Sequence, residues 1–397
     1  MRSEPENRTL QLVKSRSDYD HRSDVFRSQQ GALSITIYPN LVPEFAEEVL
    51  ERLYKNIYCT RKRLELYHSL DNVSTYVASD NSDIQTLLLF RVSKDTVYVL
   101  NQQIALPENQ ITIFAKVIFE NYRKARRIEF YALDVPSTIF NLGYPYQAIK
   151  QLEENIISLP GSDADFLKLM SPQVRKKLLS IIRKTKKEHP SYCFSILTGP
   201  DINEKIIAEI VNLANKRMYS KKRPSYIAEQ EIPILTQLAS RYGFTGLITI
   251  DGTLKAANLT FRVGERSFSR LIAHDPSYDA YSLGNQAQFF SIIYFISLGG
   301  REYWMSGGGS YHKAQFSASR RDLQNITLYR SRKTIFFCCA GYFQIKLRKK
   351  LISIRENLKN KSREPTQIGN MTAQVLNFIR ATKTMLSTGT RSIRRTD

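Results

Sequence analysis

Apolar residues recur along this chain at two periods, and the chain switches between them in a definite order. After a polar and charged stretch over residues 1–30, "ALSITIYPN" reads as a strand. "VPEFAEEVLERLYKNIYC" sets Phe45, Val49, Leu53 and Ile57 at helical spacing, with acidic residues early, and predicts one helix. Three β-rich runs follow, "VSTYVAS", "IQTLLLFRV" and "DTVYVLN", separated by the turns "DNSD" and "SKD". "ENQITIFAKVIFENYRKAR" predicts a helix and "RIEFYAL" a strand, so the first 150 residues read as a mixed α/β unit.

A second unit starts near Gln151. In "FLKLMSPQVRKKLLSIIRKTKKEHP", Ser171 suits an N-cap and Pro172 the first helical position. Val174, Leu178, Ile181 and Ile182 make one stripe, and seven Lys and Arg residues cover the rest. "YCFSILT" predicts a strand. "DINEKIIAEIVNLANKRMY" opens with an Asp201-x-x-Glu204 capping box and carries Ile207, Ile210, Val211 and Ala214 on one face. "QEIPILTQLASRYG" is a further helix stopped by Gly243. Period two then returns in "FTGLITI", "LKAANLTFRV" and "RSFSRLIAH", joined by "DGT" and "GE" turns. A buried helix, "NQAQFFSIIYFISL", ends at Gly299 and Gly300, and "EYWMSGG" and "ITLYRS" read as strands. Both units run helix, meander, helix, strand, the order expected of a tandem repeat.

Composition bounds what such units do. A length of 397 residues suggests two to three domains, and 42% hydrophobic content is enough for sizeable cores. The net charge of +21 is uneven: residues 1–150 carry 19 basic and 18 acidic side chains, residues 151–397 carry 39 and 19. The second part therefore projects a field that attracts anions. From Ser319 onward there are 18 basic and 4 acidic residues. The expected organisation is a disordered polar arm over 1–30, an N-terminal half over 31–150, a C-terminal half over 151–332 and a basic tail over 333–397. Cys59, Cys193, Cys338 and Cys339 show no metal-ligand spacing, so no metal is expected. No apolar leader and no run of 18 apolar residues is visible, and a cytoplasmic protein is expected.

Gly284 stands alone between the strand "SFSRLIAH" and the buried helix. A helix N-terminus offers unpaired N–H groups and suits phosphate, and a glycine lets backbone approach a ligand. It equally suits a plain turn into the helix. The stretch "HDPSYDAYSLGNQAQFFSIIYFISLGGREYWMSGGGSYHKAQF" resembles the C-terminal core of the CelD-like and FemAB-like branch of the GNAT acyltransferases. The matching positions are Asp275, Tyr281, Ser282, Gly284, Gly300, Gly307, Gly308, Gly309, Tyr311 and Lys313. "LMSPQVRKKLLSIIRK" resembles an upstream helix of that branch through Ser171, Arg175 and Arg183. The similarity runs over 163–329 and extends to the first half only by architecture. Where the superfamily signature has a second glycine, this chain has Asn285, Gln286 and Ala287, and His312 separates Tyr311 from Lys313.

The resemblance implies an α/β fold with a mixed sheet, two GNAT-like units in tandem, and acyl transfer to an amine or hydroxyl. It implies acetyl-CoA or another acyl-CoA as co-substrate, or an aminoacyl-tRNA, held by Ser282, Leu283, Gly284, Asn285 and Gln286. Acyl transfer from a thioester needs a proton acceptor for the nucleophile and a proton donor for the thiolate. Asp275 and His274 are the candidate acceptors and Tyr311 the candidate donor; Lys313, Trp304 and Arg175 are candidate substrate contacts. A glycan or lipid-linked acceptor of the cell envelope fits this reading. The apolar run between basic flanks in "RSRKTIFFCCAGYFQIKLRKKL" suits contact with an anionic membrane surface at its inner face, or else a last core element. A catalytically silent protein of this fold on such a membrane, and a nucleic-acid-binding module, are the competing readings.

Overall fold

The period-two runs become strands, and the strands line up in one sheet. The structure, a computed structural model, describes residues 25–30, 32–81, 83–135, 141–220, 227–305 and 316–337, with 347 and 350 besides. Residues 1–331 form one compact unit and 332–397 a second, of which the helix α9 (Arg332–Phe337) is described.

In the first unit the chain runs β1 (Phe26–Gln30), β2 (Leu33–Tyr38), α1 (Ala46–Tyr54), α2 (Arg61–His68), β3 (Val73–Asp80), β4 (Asp83–Ser93), β5 (Thr96–Val99), α3 (Glu108–Asn121), β6 (Arg127–Leu133) and β7 (Tyr146–Ser158). It continues through α4 (Asp163–Leu169), α5 (Pro172–Glu188), β8 (Cys193–Thr198), α6 (Glu204–Ser220), α7 (Ile232–Tyr242), β9 (Gly243–Ile250), β10 (Thr253–Val263), β11 (Arg266–His274), α8 (Leu283–Ser297), β12 (Glu302–Trp304) and β13 (Ser319–Tyr329). From β2 and from β8 the order is the same: strand, two helices, three-strand meander, helix, a strand parallel to the third of the meander, and a long last strand.

Sheet order shows how the halves join: β1-β2-β3-β4-β5-β6-β13-β7-β12-β11-β10-β9-β8. The last strands are exchanged. β7, from the first half, lies antiparallel to β12 of the second, while β13, from the second, lies antiparallel to β6 of the first. β7 and β13 then pair with each other over Tyr146–Ile156 and Ser319–Leu328. A boundary between 150 and 151 therefore cuts β7 in mid-strand.

β7 is absent from the hydrophobic pattern for a physical reason. Its pairing with β13 is a polar ladder: Tyr329 donates to Gln147 at 2.6 Å, Asn325 to Gln151 at 3.2 Å, and Lys150 meets Asp322 at 3.1 Å. Cross-strand polar pairs hold strands together without apolar alternation.

Helices cover both faces of the second half. α6 buries Ile207, Ile210, Val211 and Ala214, as its spacing predicts, and with α7 covers Ala257, Leu259, Leu271 and Ala273. Each such isoleucine is worth about 1.5–3 kcal/mol of burial. On the other face Phe289, Ile292 and Phe295 of α8 meet Phe244 and Tyr303, and Leu283 and Ala287 meet Ile248 and Ala256. Asp251 and Gly252 both have positive φ, 52° and 69°, as a two-residue hairpin turn requires.

Two local expectations are corrected. The helix over Val42–Cys59 breaks at Lys55, which is left-handed, and Asn56 caps a new 3₁₀ turn by accepting from the Tyr58 amide. The buried stripe of α1 is Ala46, Leu50 and Tyr54, one position round from Phe45, Val49 and Leu53. At α6 the capping side chain is Asn203, which accepts from the Ile206 amide at 3.1 Å; Asp201 sits in the preceding 3₁₀ turn.

Candidate active site

The two halves are equivalent in order but differ at one place. In the first half β5 and β6 pair in parallel from Thr96 and Arg127 to Val99 and Phe130. Beyond β5 the chain stays on β6: the Gln103 amide bonds the Ala132 carbonyl, the Asp134 amide bonds the Ile104 carbonyl, and Ala105 bridges Asp134. Buried Asn101 seals the other side, accepting from the Leu89 amide and donating to the Leu87 carbonyl.

In the second half the pairing of β11 with β12 lasts three residues, Arg266–Phe268 against Glu302–Trp304. β11 then runs on through Ser269–His274, and among the described residues no strand pairs with that edge. A bulge lies at its start, where Leu259 and Thr260 of β10 face Leu271 and Ser269 and Arg270 is skipped. So one half is zipped closed where the other parts into a wedge. A strand edge with no neighbouring strand can offer backbone hydrogen-bonding groups to an extended ligand, although the Ile272 carbonyl of β11 already accepts from Arg217 at 3.4 Å.

A buried polar network braces the wedge below α8. Asn258 donates to the Tyr303 hydroxyl at 2.6 Å and accepts from Ser269 at 2.9 Å, and Thr260 lies 3.3 Å from the same hydroxyl. Burial pushes the Tyr303 hydroxyl pKa up against these hydrogen bonds. Gln288 of α8 is buried beside it, and neither polar atom of its amide makes a hydrogen bond of normal geometry among the described residues. The sequence signal was available: Asn258, Thr260, Ser267 and Ser269 are polar at strand positions that face inward.

At the far end of β11, His274 Nε2 lies 2.7 Å from Asp279 Oδ1, which sets the ring's orientation. Asp275 is anchored. It accepts from the Ser277 hydroxyl at 2.8 Å and amide at 3.1 Å, and meets Lys216 at 3.4 Å and Lys255 at 3.6 Å. Burial pushes its pKa up, but the Ser277 hydrogen bonds and the Lys216 charge outweigh that and hold it below the usual carboxylate value. Asp275 thereby caps the 3₁₀ turn Pro276–Tyr281 that leads into α8.

The start of α8 is enclosed on its inner side. Ser282 is left-handed, with φ 51°. Gly284 has a packing reason: a Cβ there would come within 2.9 Å of His274 Nδ1 and 3.2 Å of Ile272. Leu283 and Gln286 are fully buried, and Gln286 donates to Thr185 and to the Tyr281 carbonyl while accepting from Tyr192. Ser282 and Asn285 are half-buried and reach the surface. The last turns of α5 lie against this mouth, with Tyr281 donating to Glu188 at 2.7 Å and Lys184 over the Tyr281 ring.

Of the remaining residues singled out in the sequence, Trp304 is 2% exposed, donates to Glu302 and packs on Phe268 at 5.4 Å, which places it in the core beneath the wedge. Arg175 donates to the Leu167 carbonyl at 3.2 Å and ties α5 to α4. Tyr311 and Lys313 lie outside the described residues, as do the glycines of "SGGGS", the arm over 1–24, Cys338 and Cys339 and most of the basic tail. No helix of the described residues is long and apolar enough to cross a membrane.

No protein-family model matches this chain, and no curated protein matches it in sequence. Solved structures do match in shape. The crystal structure of FemX aligns with a TM-score of 0.57 at 9% identity, covering 75% of this chain and 98% of FemX. A conserved protein of unknown function from Bacteroides thetaiotaomicron aligns at TM-score 0.51 and 10% identity, covering 73% and 98%. A tandem GNAT protein from the clavulanic acid biosynthesis pathway aligns more loosely, at TM-score 0.40 and 8% identity, covering 75% and 98%. With its repeated element order and exchanged central strands, the chain has a fold like that of FemX.

Proposed function

We propose that this protein is an acyltransferase whose donor lies along the open edge of β11. The observation that carries the reading is the wedge: β11 and β12 part after three residues in one half, while the same place is closed in the other. An acyl-CoA would supply an activated thioester carbonyl there. The chain's own parts divide the work. The edge of β11 beyond Phe268 lines up an extended acyl donor. Ser282 and Asn285 at the surface of the α8 mouth, with the first-turn amides and the lysines of α5, meet its diphosphate. The His274–Asp279 pair takes the acceptor's proton; Asp275, already bound by two lysines, acts as an anchor. Tyr311 and Lys313 keep the roles of thiolate donor and substrate contact that the resemblance implies. The acceptor is an amine or hydroxyl, with an envelope glycan or lipid-linked precursor as the favoured class.

Calorimetric titration with acetyl-CoA and with long-chain acyl-CoA tests this, on the wild type and on Asn285→Trp, which fills the mouth and leaves Gly284 in place. Wild-type binding that weakens at least tenfold in the variant supports the reading. Absence of any heat at millimolar acyl-CoA removes the donor site and leaves a fold without this chemistry.

A second reading rests on α5. Lys176, Lys177, Arg183, Lys184, Lys186 and Lys187 are all exposed on one helix, with Glu188 as the single acid. Such a face suits a peripheral contact with an anionic membrane. Co-sedimentation with anionic vesicles, lost when these lysines are neutralised, supports the contact. A salt-sensitive gel shift in place of vesicle binding would turn the reading toward nucleic acid.

A further inference from the structure

Arg63 of α2 is a cation for which no described carboxylate is a partner. Its guanidinium carbon lies 4.5 Å from the Tyr58 ring centre and 4.7 Å from that of Tyr67. Nη1 is sealed from solvent and makes no hydrogen bond among the described residues. The neighbouring acids are engaged elsewhere: Glu65 with Arg61 at 3.0 Å, Glu231 with Arg270 at 2.9 Å, and Glu51 with Tyr242 at 2.6 Å. Burial is the main cause that weakens Arg63's hold on its proton; the tyrosines oppose it, and the like charge of Arg270 adds to it. Arginine does not give up its charge under ordinary conditions, so a buried guanidinium calls for an anion.

The surroundings say how that anion would arrive and where it would sit. Rings of Tyr58 and Tyr67 both pack against the guanidinium carbon, and a carboxylate or phosphate would bind its N–H groups through two oxygens. Arg63, Tyr58, Tyr67 and Arg270 are half-buried, so the cluster meets solvent at its rim. Arg270 is the residue skipped at the bulge, in the part of β11 that has lost β12. Tyr58 packs edge-on against Phe268 at 6.0 Å, the last residue paired with β12. The cluster therefore sits beside the point where the wedge opens, and it is built from both halves: Tyr58, Arg63 and Tyr67 from the first, Arg270 from the second.

We propose that Arg63, packed on the rings of Tyr58 and Tyr67, binds a carboxylate or phosphate group of the acceptor. This rests on the acyl-transfer reading for the word acceptor, but the anion site stands on its own geometry. It makes the acceptor anionic and gives the first half, whose own wedge is closed, a task in substrate choice.

The probes are inorganic phosphate and acetate, each titrated into the full chain at constant ionic strength and followed by calorimetry and melting temperature. Saturable binding of either, weakened at least tenfold in Arg63→Gln and unchanged in the surface control Lys116→Gln, supports the site; which probe binds distinguishes a phosphate from a carboxylate. No saturable binding of either, or binding that persists in Arg63→Gln, overturns it. Should Arg63→Gln fail to fold, phenylglyoxal labelling of the wild type decides: phosphate or acetate protects the Arg63 peptide if the site exists, and equal labelling with and without them overturns it. Acyl-CoA titration keeps the two ideas apart. Arg63-dependent anion binding without any acyl-CoA binding would sink acyl transfer and leave the anion site, and the reverse would do the opposite.

Discussion

At Gly284 a single hydrogen decides how near a helix lies to a strand. The Cβ of any other residue would press on His274 and Ile272, both on β11. Gly284→Ala should therefore destabilise the fold by about 1–3 kcal/mol through overpacking, measured by urea unfolding. An alanine variant as stable as the wild type would show that the helix has room to spare. Asp275 makes a pH-dependent contribution. Its pKa is depressed in the folded state, so it stabilises above its unfolded value and that stability is lost as pH falls through the folded one. The stability gap between wild type and Asp275→Asn should be open at pH 7 and close on acidification below about pH 4. A gap that stays constant down to acid unfolding would mean that the lysines and Ser277 do not act on the charge.

Elements are set by their ends as much as by their stripes. The apolar face of α6 is legible in sequence, yet its start is not, because Asp201 and Asn203 are both good caps. Geometry chooses Asn203. Asn203→Ala should cost about 1 kcal/mol and Asp201→Ala much less, read from paired thermal melts. Equal losses would put the cap back at Asp201. At α1 the same lesson appears with the opposite sign. Nothing in "LYKNIYC" forbids a continuous helix, but a left-handed Lys55 and the Asn56 cap end it, and the new turn delivers the Tyr58 ring to Arg63.

Across the whole molecule the exchange of β7 and β13 makes the halves depend on each other. β6 has β13 as its outer neighbour, and β12 has β7. A chain ending after Ser158 leaves β7 without both partners and β6 with one bare edge, which invites aggregation. Residues 25–158 produced alone should be insoluble or lack a cooperative melt, while the full chain unfolds its two halves together. Independent, reversible melting of that fragment would show the exchange to be dispensable. The same interdependence places Arg63 from one half beside Arg270 from the other, so a residue far away in sequence stands at the wedge.

Elements whose chemistry is local are legible along the chain: the period-two runs, the α6 stripe, the buried α8 helix, the Asp251-Gly252 turn and the Ser171 cap. Each follows from neighbours a few residues apart. The sequence also carried the tandem order and, through a resemblance, the fold. The rest depends on how the chain folds back on itself, because the forces involved act between distant residues. The polar ladder that makes β7 a central strand needs β13 opposite it. The wedge exists because β12 stops while β11 continues, and Arg63 is short of an anion because the acids near it pair with other cations. Gly284 serves packing because His274 happens to lie across from it, a distance that no local spacing encodes.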